Sequence, residues 1–160
     1  MPQNNFTSSW CLKIVVSPNL ADDLTFEDGI RLCEEVNAKV SLFENSYELD
    51  KCYEKVPNDR KNGLSVRVDG VRKEKCKTTD AIKSDPECYR GNTFQMTNSG
   101  SDPTYIFSRF GPIDPNFLYA GTEKAENCLG LVDNKELFDV ACIKYVNVFK
   151  GILCGKAPKY

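Results

Sequence analysis

The stretch Leu137-Phe138-Asp139-Val140-Ala141-Cys142 decides how the chain is read. Cys128-Leu129-Gly130-Leu131-Val132 stands before it, and Ile152-Leu153-Cys154-Gly155-Lys156-Ala157-Pro158 follows. Each piece is a short apolar run that carries a cysteine, and such runs bounded by polar or turn residues read as strands. The early part of the chain reads differently. Thr25 is placed to cap a helix, with Glu27 and Asp28 in the first turn, where the helix dipole favours negative charge. Phe26, Ile30 and Cys33 then recur at helical spacing and form an apolar stripe. A second helix is expected from Asn45, with Glu48 as its capping-box partner. Leu49, Cys52, Tyr53 and Val56 form its inward face, and Pro57-Asn58 ends it.

Trp10 to Val16 predicts an opening strand that stops at Ser17-Pro18-Asn19. Leu64, Val66 and Val68 alternate with Ser65, Arg67 and Asp69, the pattern of a half-buried strand ending at Gly70. Lys77 to Asn127 is broken up by Asp85-Pro86, Gly91-Asn92, Asp102-Pro103, Gly111-Pro112 and Asp114-Pro115, and is expected to be mostly irregular. Loops of that length tend to be functional. The fold class is therefore α+β, with helices early and antiparallel strands late.

Composition narrows the chemistry. The 160 residues include eight cysteines and no histidine, with 21 Lys plus Arg against 23 Asp plus Glu. A net charge of −2 argues against a nucleic-acid surface. Without histidine, Ser-His-Asp and Cys-His triads and His-ligated metals are excluded. No Cys-x-x-Cys pair suggests zinc, so the cysteines read as a disulfide framework in an oxidising, extracellular compartment. No run approaches a membrane span. The first ten residues lack the apolar core and cleavage site of a signal peptide, as expected of a mature chain. Residues 1–8 read as a flexible arm whose Asn5-Phe6-Thr7 sequon makes Asn5 a glycosylation candidate. Residues 9–158 read as one domain.

In order and spacing, these residues resemble a C-type lectin-like domain, and most closely the divergent secreted C-type lectins of nematodes. The likeness rests on Trp10-Cys11, Cys33, Ala38-Lys39-Val40-Ser41-Leu42, Val68-Asp69-Gly70-Val71-Arg72 before Cys76, Phe94 to Gly100, and above all the C-terminal runs quoted first. It implies two helices flanking antiparallel sheets with a long irregular loop region, stapled by disulfides. It also implies the pairs Cys33–Cys154, Cys128–Cys142 and Cys76–Cys88. Cys11 and Cys52 remain, and a Cys11–Cys52 bridge is expected between the first strand and second helix, the alternative being two free or intermolecular thiols.

In sugar-binding members of that family, Ca²⁺ is held by a Glu-Pro-Asn or Gln-Pro-Asp tripeptide around a cis proline. An acidic residue before a strand cysteine and a Trp-Asn-Asp run complete the protein ligands. The resemblance carries these positions onto Asp114 and Asn116 of Asp114-Pro115-Asn116, onto Glu126 and onto Asp139. Gly111-Pro112-Ile113 offers no side-chain oxygen. Phe138 stands where the family has a ligating Asn, so the implied Ca²⁺ site is degenerate. Read on their own, the same residues are turn formers and strand caps. Two functions stay open at this point. One is glycan or protein recognition through residues 92 to 139, with or without calcium. The other is a calcium-independent adhesive or protein-binding module of a larger extracellular protein. No carboxylate pair is singled out by a catalytic motif, so an enzyme is not expected. The aromatic residues Phe94, Tyr105, Phe107, Phe110, Phe117 and Tyr119 are either loop core or a protein-binding patch.

Overall fold

Strand β3 (Ser65–Arg72) runs between β7 (Phe149–Lys156) and β5 (Cys128–Leu131), and this placement organises the molecule. The structure, a computed structural model, describes residues 11–19, 23–98, 101–132, 135–144 and 149–156. Trp10, the N-terminal arm with Asn5, and the Ala157-Pro158 end of the expected domain lie outside the described residues. The sheet continues outward to β1 (Cys11–Val16) beside β7 and to β6 (Leu137–Val140) beside β5. Two-residue strands β2 (Lys39–Val40) and β4 (Phe94–Gln95) pair with β7 and β3.

A central position changes the reading of β3. Its alternation predicts one wet face, yet Ser65, Arg67 and Asp69 are all buried, because the opposite face is covered as well. The strand also continues past Gly70 to Arg72, through a register shift between Val68 and Val71. Gly70 has φ +136°, and a Cβ there would come within 2.4 Å of Leu129, so glycine is what lets the shift close. β3 pairs with β7 in parallel, whereas the other strand pairings are antiparallel.

α1 (Phe26–Glu35) begins at Thr25, whose hydroxyl accepts from the Asp28 amide while the Asp28 carboxylate accepts from the Thr25 amide. The helix lies close over β7, where a Cβ on Gly29 would come within 2.7 Å of Ile152. α2 (Ser46–Glu54) begins at Asn45, whose side chain accepts from the Glu48 amide. The Glu48 carboxylate reaches the amide of Glu44 instead of the Asn45 amide. α3 (Asn58–Lys61), α4 (Thr79–Ser84) and α5 (Thr104–Phe107) are short turns of helix. The last two lie within residues 77–127, as do β4 and two 3₁₀ turns at Pro86–Cys88 and Arg90–Thr93. From Phe110 to Asn127 there is neither helix nor strand.

The sheet divides the core in two. Val66, Val68, Leu129, Leu131 and Leu137 pack with the α2 residues Leu49, Cys52 and Tyr53 and with Phe94, Ile106 and Phe110. On the other face, Ile152, Cys128 and Phe149 pack with Phe26 and Cys33 of α1. The ring pairs Phe94–Phe110 and Phe107–Phe110 stack within the first cluster, so these aromatics are core.

Three disulfides join Cys33–Cys154, Cys76–Cys88 and Cys128–Cys142. The first spans a sequence separation of 121, for which the chain-entropy model gives about 4–5 kcal/mol. The expected Cys11–Cys52 bridge is not formed, and both thiols are free. Strand alternation supplies the reason. Leu12, Ile14 and Val16 share the face that packs on the cluster holding Cys52. Cys11 falls on the face of Lys13 and Val15, pointing away from it, and is exposed. Cys52 is buried beside Ile14, and burial pushes its thiol up to about 11.

Candidate functional site

The loop that follows Phe110 is anchored by β6 through one side chain, Asp139, which is 2% exposed. Its Oδ1 accepts the Asn116 amide at 3.1 Å, and Oδ2 accepts the Phe117 amide at 2.7 Å. Oδ2 also accepts from Nη2 of Arg72 at 2.8 Å, an ion pair whose side chains are 1% and 0% exposed. Arg72 arrives from the end of β3, four residues beyond Val68, and strand alternation puts it on the face of Val68, Leu129 and Asp139. Its other nitrogens are used too. Nη1 donates to Thr93 Oγ1 at 2.9 Å, and Nε and Nη2 donate to the Glu126 carbonyl. The guanidinium lies over the rings of Phe117 at 4.0 Å and Phe94 at 4.8 Å. Desolvation lowers Arg72 to about 10, opposed by Asp139. A buried cation of this kind is held by its carboxylate, its acceptors and its aromatic faces together.

The remaining positions are spread around this pair. Asp114 is buried at 4% exposure, and its peptide to Pro115 is cis. Among the described residues its Oδ1 has no hydrogen-bond partner, and burial raises its pKa, with Asp139 and Glu136 adding to the effect. Arg90 donates to the carbonyls of Gly111 and Asp114. The Asn116 side chain is exposed, and what this residue gives Asp139 is its main-chain amide. Glu126 is half-buried, and its Oε2 accepts the Leu118 amide at 3.0 Å. Burial lifts Glu126 to about 7, with Asp139 and Asp114 raising it further and the Leu118 amide and Arg72 opposing.

The donor set does not suit calcium, which takes six to eight oxygens. Both oxygens of Asp139 are occupied, and one of them already faces a cation. Phe138 contributes no oxygen, and Glu126 has one oxygen bound to an amide. Among the described residues, no group of three His, Cys, Asp or Glu side chains is arranged to hold a metal ion. The structure thus brings Asp139 and the main chain of Asn116 into contact, and leaves Asp114 and Glu126 as neighbours coupled by charge. Arg72 is the residue that sequence reasoning missed. A hint exists in β3, where a second arginine sits in a strand otherwise rich in valine.

At the loop surface, Ile113 is 77% exposed, and Leu118 and Tyr119 are 49% exposed each. These three large apolar side chains stand beside the polar anchor.

Comparison with known proteins places this geometry. The family model for C-type lectin domain-containing protein 141/158 matches residues 1–157. The C-type lectin domain-containing protein 141 of Caenorhabditis elegans is 27% identical over 136 residues, which is 79% of this chain and 43% of that protein. The chain thus spans less than half the length of this curated relative. The human scavenger receptor C-type lectin carbohydrate-recognition domain superposes with a TM-score of 0.59 at 16% identity, covering 99% of each chain. A calcium-independent type II antifreeze protein superposes at 0.55 and 16% identity, covering 92% of this chain and 86% of that one. At such identities these two structures establish the fold.

Proposed function

Because the chain belongs to the C-type lectin domain-containing protein 141/158 family, we propose that it is an extracellular recognition domain working without calcium. It binds a glycan or protein ligand through the loop between Phe110 and Cys128. The family and fold are those of C-type lectin domains, which are generally non-catalytic. Among the described residues, no helix is long and apolar enough to cross a membrane. The three disulfides support placement outside the cell.

One observation carries the calcium-independent reading. Asp139 already accepts from Arg72 and two main-chain amides, so an incoming cation would have to sit against a buried guanidinium or displace it. The loop is held in shape by that internal cation, and the protruding Ile113, Leu118 and Tyr119 offer contact area without a metal. Arrays of glycans and extracellular proteins, probed in calcium and in EDTA, test the proposal together with thermal melts. The expected result is the same Tm and the same ligand set in both buffers. A Tm raised by millimolar calcium, or binding abolished by EDTA, overturns it.

A further inference from the structure

Arg67, Gly130 and Phe138 are cross-strand neighbours on the sheet face that carries α1, away from the Arg72–Asp139 pair. The ring of Phe149 lies against Gly130, where a Cβ would come within 2.3 Å of it. Tyr119 and Glu126 of the loop close over this row from one side, and Val132 and Val140 flank it. Between them is a cavity of about 150 Å³. A cavity of roughly that volume is known to admit a benzene ring.

The chemistry of the walls narrows the occupant. They are apolar and aromatic except at the mouth, where Lys124 and Glu126 stand, at the base, where Arg67 lies, and at Asp139, whose carboxylate is held by Arg72. The Arg67 side chain is fully buried, and its nitrogens donate to the carbonyls of Leu24, Ala141 and Ile143 at 2.5, 2.8 and 3.3 Å. Among the described residues no carboxylate forms an ion pair with it. Asp23 and Asp28 act on it only through space. The guanidinium already uses one π face, that of Phe149 at 4.6 Å. A desolvated cation so placed attracts another electron-rich ring and repels a cationic one. A pyranose would bury several hydroxyls against walls whose Arg67 and Asp139 side chains are already hydrogen-bonded, which is costly. Glu126 binds the Leu118 amide through Oε2, leaving Oε1 for one donor on the occupant.

We propose that this cavity is a binding site for a neutral aromatic ring bearing a single hydroxyl or N–H, of the phenol or indole type. The ring lies against Phe138 and Phe149, and its polar edge meets Glu126. The site shares Tyr119 with the loop surface, while most of its walls belong to the sheet.

Titration of the isotope-labelled chain with phenol and with indole, followed by NMR, is the test. Saturable shifts are expected at Val132, Phe138, Val140 and Ala141 at millimolar ligand, with cyclohexanol, benzylamine and methyl galactoside at least tenfold weaker. N-acetyltyrosinamide is run beside phenol. Comparable shifts assign the site to a ring carried on a polypeptide, and shifts from phenol alone assign it to a free small molecule. Val140→Phe, which fills the cavity from its half-exposed edge, should abolish the shifts at unchanged Tm. Val132→Phe is the second filling variant should the first disturb the fold. Absence of saturable shifts, equal binding of cyclohexanol or methyl galactoside, or full binding by a folded filled variant overturns the proposal.

Discussion

The two faces of β3 each bury an arginine, and they satisfy it differently. On one face Arg72 meets a carboxylate, and the loop closes over the pair so tightly that two of its amides share the same acceptor. On the other face Arg67 meets only main-chain carbonyls, and a cavity remains above it. The charge is the same on both faces, and so is the depth of burial. What differs is whether a carboxylate from a neighbouring strand faces the guanidinium. Where one does, the cation organises a loop. Where none does, it is tolerated by dipoles and leaves room for something else.

Removing each arginine measures this difference. Arg72→Met strands a buried carboxylate, and breaking one half of a buried pair costs about 3–5 kcal/mol. Urea denaturation should show that loss, along with faster exchange of the Asn116 and Phe117 amides. Arg67→Met leaves three carbonyls short of donors and no orphan charge, so its cost should be about 1–3 kcal/mol. Equal losses for the two variants would break the comparison.

Glu126 borders both faces, and its pH dependence gives a smaller effect. Its folded pKa of about 7 lies above the unfolded value of 4.5. Between those values the folded state binds more protons than the unfolded one, so stability falls as pH rises through that window. The group is only half-buried, so the change between pH 5 and 7.5 should be on the order of 1 kcal/mol after solvent screening. Glu126→Gln should flatten most of that slope. A wild-type curve that rises with pH over this range would show that other groups dominate.

What was legible in the sequence, and what was not, follows the range of the forces involved. Thr25 with Asp28 and Asn45 with Glu48 announce two helix starts, because a cap is decided within a few residues. The strands carrying Cys128, Asp139 and Cys154 are likewise visible as short apolar runs. The alternation in β3 misled for a non-local reason. Arg67 and Asp69 look solvent-facing until β5 and β7 are known to flank the strand. Arg72 was harder still. It meets a partner 67 residues away, which only the pairing of β5 with both β3 and β6 brings onto its face. The candidate ligands Asp114, Asn116, Glu126 and Asp139 do cluster loosely. Nothing in their spacing reveals that a guanidinium already holds Asp139. The Cys11–Cys52 bridge failed on parity along β1, a property of one strand against its packing face that cysteine counting cannot see.

The pairing of β1 with β7 has a mechanical consequence. Cys11 sits opposite Lys156, so the described chain enters and leaves at the same end of an antiparallel pair. Tension applied there would open hydrogen bonds one at a time, as a zipper does, and such pairs yield easily. Two residues in from Lys156, however, Cys154 is bonded to Cys33. A pull would free β1 and the chain up to Cys33, at most about 80 Å of extended backbone. It would then meet covalent bonds. Everything between the two cysteines, the loop and its buried ion pair included, stays outside the path of the force.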